Sequence, residues 1–200
     1  RPKSLPFHIC SIIIFIIFYF VFAKDKKKIE FWKSFIVPIG VFGGFLSIIM
    51  ATSGIKFWDP DPFYAFDAYQ SFIYHSTLLW YSLYLMITKQ VKLNTKVFGI
   101  NCLSIFALCI IMIWVNSIIS HDGLESTNFF FVMEPPAKGL PFLTDKYGWH
   151  VYFIHYVFGL MLMEFLVHLK YIIDDIKALK AKKRGELPVE EVKEAEEITE

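Results

Sequence analysis

The sequence predicts an all-α fold: a polytopic helical membrane bundle with at least five transmembrane helices and a charged cytoplasmic tail. Three observations predict it. Five apolar stretches stand near membrane-spanning length: Leu5–Ala23, Phe31–Ser53, Tyr69–Ile87, Val97–Ile119 and Trp149–Leu169. The chain is 56% hydrophobic with a mean hydropathy of +0.48, too apolar for an ordinary soluble domain. Lysines gather in alternate connections between the stretches. A hydrocarbon core about 30 Å thick takes roughly 20 apolar residues as helix. Backbone polar groups in lipid must be satisfied within the protein, and no alternating barrel pattern is present, so the stretches cross as helices. Residues 1–173 form the bundle and residues 174–200 the tail.

The first stretch looks like the apolar part of an export signal, but Lys24, Lys26, Lys27 and Lys28 stand where cleavage would fall, which marks an anchor. Arg1 rather than Met opens the chain, and further helices are expected before it. The second stretch carries Gly40, Gly43 and Gly44, and the Gly40/Gly44 spacing lets a neighbouring backbone approach closely. Packing inside the bundle is the first use of such a stripe; a ligand groove or a partner protein is the second. Pro38 is expected to bend this helix. Ser53 to Ala68 reads as an interfacial loop with a Trp58/Phe63/Tyr64 belt. Asp59 and Asp61, separated by proline, make a poor cation cage.

In the fourth stretch Asn101 and Asn116 are expected to hydrogen-bond other helices, and Cys102 and Cys109 to serve as small packing residues. The longest connection, Ser120 to Gly148, holds Asn128-Phe-Phe-Phe and Glu134-Pro-Pro. Its apolar run is too short to cross, so a re-entrant or interfacial lid is expected. In the fifth stretch Glu164 and His168, at i,i+4, are expected to satisfy each other. Helical spacing continues through Ile172, Ile173, Ile176 and Leu179 until Gly185 and Pro188, and an acidic end follows from Glu190.

Lysines follow the first stretch, join the third to the fourth, and follow the fifth, while acidic residues dominate the other connections. Excess Lys and Arg marks the cytoplasmic side, giving a multi-pass protein of the cell membrane with a cytoplasmic C-terminus. Of the six histidines, His8, His75, His121, His150 and His155 then fall toward the outer end, and His168 toward the inner. His75 sits about 9 Å into its stretch at 1.5 Å per residue. Polar groups inside a bilayer usually face the bundle and are often functional. Three readings stay open: general-base catalysis by His75 or His8, a metal site built from several histidines, or interfacial hydrogen bonding. There is no His-Glu-x-x-His, no Walker loop, no dinucleotide glycine fingerprint and no Gly-x-Ser-x-Gly elbow. No metal or cofactor is expected. No internal repeat or broken helix pair speaks for transport.

Leu5-Pro-Phe-His-Ile-Cys10 resembles the Leu-Pro-x-His-x-Cys opening of YwaF-like bacterial integral membrane proteins. Phe31-Trp32, Tyr74-His75, Leu83-Tyr-Leu, Asn101, Asn116, Thr127-Asn128-Phe-Phe-Phe, Glu134-Pro-Pro and Gly148-Trp149 follow in the family's order, from about residue 5 to residue 170. The resemblance implies an all-helical membrane fold. Distant animal relatives are phospholipid acyltransferases in which a Cys and a His are implicated, and that His corresponds to His75. Where the animal pattern has Pro-Cys-His this chain has Pro6-Phe7-His8, with Cys10 close by. His121-Asp122 stands as an insertion before Thr127 and supplies a His-Asp pair of its own.

Two functions follow as expectations. One is an acyltransferase-like enzyme acting on membrane lipids from a polar, His-rich pocket near the outer face. His75 would be its base, His8 a second base or oxyanion donor, and Cys10 its nucleophile. Asn128, Asn116, Trp149 and His155 would bind substrate. The alternative is a non-catalytic membrane subunit of a larger assembly, meeting membrane or cytoplasmic partners through the helix-two glycines and the C-terminal tail. The expected partners are membrane lipids and such proteins, not nucleic acid.

Overall fold

A computed structural model describes residues 9–54, 62–121, 127–134 and 146–184. His8, Trp58, Asp59, Asp61, Asp122, Pro135-Pro136, Gly185, Pro188 and the acidic end lie outside the described residues, as do the side chains of Cys10, Phe63, Tyr64 and His121. Among the described residues five α-helices carry the fold: α1 Ile9–Phe22, α2 Lys26–Gly54, α3 Pro62–Ile87, α4 Thr95–His121 and α5 Trp149–Arg184. A short 3-10 turn, Phe129–Phe131, lies between α4 and α5, and no strand occurs among the described residues. Three of these described helices, α2, α4 and α5, are long and apolar enough to cross a membrane.

Local chemistry sets the ends. The Asp25 carboxylate accepts from the Lys27 and Lys28 amides at 3.0 and 3.3 Å and caps α2. Asn94 Oδ1 accepts from the Val97 amide at 2.8 Å and caps α4. At the end of α3 the Gln90 amide donates to the Leu85 carbonyl and the Lys89 amide to Met86, with Lys89 at φ 55°. That is a Schellman motif with lysine in the left-handed position usually given to glycine. Val91 and Leu93 then tuck in against Val37, Leu85 and Val167, closing the turn.

The connection read as an interfacial loop over Ser53–Ala68 is shorter than expected: α3 already begins at Pro62. Proline suits the first helical position, because its missing N–H would have no partner there. His75 consequently stands about 20 Å from the start of its helix, not 9 Å. α5 runs unbroken past residue 173 to Arg184, in keeping with the helical spacing through Leu179. Asp175, just past it, binds the Thr95 amide and hydroxyl at 2.8 and 2.7 Å, tying the far part of α5 to the start of α4.

α2 and α3 pack antiparallel along the glycine stripe. A Cβ on Gly44 would lie 2.9 Å from the His75 carbonyl oxygen and 3.2 Å from the Leu79 amide nitrogen; one on Gly40 would lie 1.9 Å from Ser82 Oγ. α3 therefore covers the face that was also read as a contact for a ligand or partner. Gly43, with only Ile39 Cγ2 near at 3.7 Å, points elsewhere. The main core joins Ile13 and Ile16 of α1, Phe35 and Ile36 of α2, Ile105, Cys109 and Met112 of α4, and Tyr152 and Tyr156 of α5. Phe15, Trp80, Leu103, Trp114 and Phe158 point outward, each at least 60% exposed, while Asn101, Asn116, Glu164 and His168 are buried. Apolar outside and polar inside suits lipid, not water.

Candidate functional site

Of the re-entrant and interfacial forms expected for the long connection, the segment 127–134 is not the interfacial one. It is inserted into the bundle, with Phe129, Phe130 and Val132 at 1% exposure or less. Phe130 and Phe131 take φ of 63° and 54°, left-handed backbone that costs a non-glycine residue roughly 1–2 kcal/mol each. Irregular backbone at membrane depth survives only where protein groups satisfy it. Here α4 and α5 do so carbonyl by carbonyl. Asn116 Nδ2 donates to Phe129 O at 3.0 Å, and the Phe129 amide returns a bond to Asn116 Oδ1 at 2.9 Å. The Tyr156 hydroxyl donates to Phe130 O at 2.6 Å, the Tyr152 hydroxyl to Phe131 O, and Trp149 Nε1 to Val132 O at 3.0 Å. Asn128 closes the segment on itself, accepting from the Met133 and Glu134 amides and donating to Glu134 O at 2.9 Å.

Asn116, Asn128 and Trp149 are thus brought together, with their polar groups engaged by one short stretch of backbone. His155 stays apart: it is exposed on α5, and its Nδ1 lies 2.7 Å from its own helix's Val151 carbonyl. His75 is half-buried on α3, as the i,i+4 spacing with Ser71 implies. Its Nδ1 lies 2.7 Å from Ser71 O and 3.2 Å from Ser71 Oγ, and its ring meets Tyr74 edge-on at 5.0 Å. A carbonyl oxygen can only accept, so Nδ1 carries the hydrogen and Nε2 presents the lone pair. The Cys10 backbone lies in α1, while His8 and the Cys10 side chain are outside the described residues. Among the described residues no three His, Cys, Asp or Glu side chains gather as a metal-binding set.

Sequence reasoning missed Tyr152 and Tyr156. Their i,i+4 spacing on one face of α5 was visible, but nothing local distinguishes a core tyrosine from one that holds another segment's carbonyl. It also expected Glu164 and His168 to satisfy each other. Instead His168 Nδ1 donates to the Glu164 carbonyl at 2.9 Å and stands 3.6 Å from Glu164 Oε2, leaving His168 Nε2 and Glu164 Oε1 without partners.

The model of the TMEM164 family matches residues 2–167, most of the chain and nearly all of the helical bundle. The chain belongs to the TMEM164 family. The match runs through α1 to α4, the inserted segment and the first half of α5, so His75, Asn116, Asn128, Trp149, Tyr152 and Tyr156 all fall inside the TMEM164 region. Family membership and three spanning-length apolar helices make this a membrane protein. No curated protein and no solved structure matches the chain.

Proposed function

We propose that this TMEM164-family chain acts on membrane lipids by acyl transfer, with His75 as general base. The observation that carries the reading is the hydrogen bond from His75 Nδ1 to the Ser71 carbonyl at 2.7 Å, which fixes the ring and leaves Nε2 free to take a proton. The resemblance of the Leu5–Cys10, Tyr74-His75 and Thr127–Phe131 motifs to YwaF-like proteins and their distant acyltransferase relatives supports it. As a hydroxyl or thiol attacks the acyl carbonyl carbon, His75 Nε2 accepts its proton and later returns it to the leaving oxygen. Cys10 is the candidate thiol and His8 a second base or oxyanion donor. Asn116, Asn128 and Trp149 act by holding the inserted segment as one wall of the site, and His155 meets headgroups. In this reading all five helices cross the membrane, the lysine-rich ends face the cytoplasm, and the C-terminal tail meets a cytoplasmic partner.

The test is acyl exchange in nanodiscs, between a phospholipid carrying a deuterated acyl chain and a lysophospholipid acceptor, read by lipid mass spectrometry. The wild-type chain is expected to transfer label. His75→Gln is expected to lose at least about a hundredfold in rate, the usual scale of a missing general base, with its melting temperature unchanged. Transfer that survives His75→Gln removes His75 from the chemistry. No transfer by the wild-type chain on any acceptor, together with stable co-purification of another membrane protein, replaces the enzyme with an assembly subunit.

A further inference from the structure

Away from His75, toward the lysine-rich end, a second polar group lies closed inside the bundle. It begins with Pro38, which has no N–H, so the Ser34 carbonyl one turn earlier in α2 loses its helical partner. Asn101 of α4 fills that gap, its Nδ2 donating to Ser34 O at 3.0 Å and to Glu164 Oε2 of α5 at 3.3 Å. Ser34, Asn101, Glu164 and His168 are each 1% exposed or less. Three atoms of this group have no hydrogen-bond partner among the described residues: Asn101 Oδ1, Glu164 Oε1 and His168 Nε2.

All three orphans are acceptors when Glu164 is ionised. An amide oxygen only accepts, and His168 Nε2 accepts because the ring's hydrogen is committed on Nδ1 to the Glu164 carbonyl. Nor is there a cation to balance the carboxylate, whose one ionisable hydrogen-bonding or ion-pair neighbour among the described residues is His168. The groups turned toward it are known from each helix. α4 presents Asn101, next in sequence to the Cys102 thiol, with the Phe98 ring 5.7 Å from that of His168; α2 presents the Ser34 carbonyl; α5 presents His168. A buried carboxylate with a single amide donor on one oxygen, none on the other and no countercharge is the costliest state this group can occupy. One added proton changes both defects together. It removes the charge and turns an orphan acceptor into a donor within a group whose other orphans are acceptors.

We propose that Asn101, Glu164 and His168 form an internal proton-binding site at the junction of α2, α4 and α5, with the proton carried on the Glu164 carboxyl group. Occupied, the site holds three helices together through neutral hydrogen bonds. Emptied, it leaves a buried carboxylate with the Asn101 amide as its one hydrogen-bond donor among the described residues, and the α4–α5 contact loosens or admits water. The arrangement of the bundle is thereby linked to proton activity, without reference to the chemistry at His75.

Infrared spectroscopy of the wild-type chain in an alkyl maltoside detergent, which has no carbonyl of its own, tests this directly. At about pH 7 exposed aspartates and glutamates are ionised, so a protonated carboxyl band isolates a buried acid. The expected result is a carboxylic C=O band that shifts in heavy water and with carbon-13 carboxyl-labelled glutamate, disappears reversibly in alkali, and is missing from Glu164→Gln. Label-sensitive absorption confined to carboxylate bands at that pH overturns the proposal. So does a protonated band that emerges only when sodium is exchanged for choline, which would make the occupant a metal cation. If Glu164→Gln does not fold, Glu164→Asp in the labelled chain serves as the variant, and an unmoved band would assign the proton to another residue.

Discussion

At Asn116 a single carboxamide answers both the N–H and the C=O of Phe129. Asn116→Leu keeps the bulk but removes both hydrogen bonds, at about 1–3 kcal/mol apiece. The expected outcome is a clear drop in melting temperature in detergent, together with proteolytic opening near Phe129–Phe131. Tyr156→Phe removes one donor, the hydroxyl on Phe130 O, and is expected to cost about half as much. His155→Ala provides the contrast: the side chain is exposed and bonded only to its own helix, so stability is expected to stay within about 0.5 kcal/mol. The two asparagines show what sequence can disclose at this scale. Both were legible as hydrogen-bonding residues because an amide in an apolar helix needs a partner. Asn101 found its partners on α2 and α5, as expected. Asn116 found a non-helical segment, which no periodicity in α4 announces.

Among the helices, the glycine stripe of α2 separates packing from conformational freedom. Gly44→Ala drives a methyl into the backbone of α3 at His75 and Leu79, atoms that cannot swing aside, whereas Gly43→Ala meets one methyl at ordinary contact distance. The first is expected to destabilise the α2–α3 pair by about 1–3 kcal/mol, on the scale of core overpacking, and the second to be neutral or slightly stabilising. Parallel thermal melts of the two variants decide it, and equal melting temperatures would show that the helices slide freely past each other. The end of α3 gives a prediction of opposite sign. Lys89 holds a left-handed φ of 55°, and Lys89→Gly is expected to stabilise by roughly 1 kcal/mol, because glycine occupies that region without the Cβ clash. Helix positions were readable because apolar length is a property of each segment by itself. The start of α3 was not, since Asp-Pro-Asp-Pro looks like loop chemistry until Pro62 is recognised as a helix opener. Nor was the inserted Phe129–Phe131 turn, whose conformation is imposed by donors on α4 and α5 rather than by its own residues.

Taken whole, the molecule is turned inside out relative to a soluble bundle, with aromatic and aliphatic side chains outward and Asn, Glu and His within. That distribution requires a membrane but says nothing of which side is which. The lysines supply the direction. Lys28, Lys33, Lys89, Lys92, Lys96 and Lys170 belong to the same end of the bundle, because α2 and α4 begin where α3 ends and where α5 leaves the apolar region. The exposed Lys92–Glu30 pair at 3.8 Å joins two of those elements directly. By the positive-inside rule the lysine-rich end is expected in the cytoplasm. The prediction is read by labelling with a membrane-impermeant maleimide, in a background where Cys10, Cys102 and Cys109 are replaced. A cysteine in place of Tyr147, which is 69% exposed, is expected to label in intact cells. One in place of Lys92 is expected to label only after permeabilisation. The reverse pattern would put the lysine-rich end outside and turn the His75 face toward the opposite leaflet. Labelling of both from outside would mean that α4 and the inserted segment return to the side they left, and the crossing count would fall with them. Because Tyr147 and Lys92 flank α4 and the inserted segment, one pair of cysteines tests sidedness and spanning together, and it does so without any assumption about catalysis.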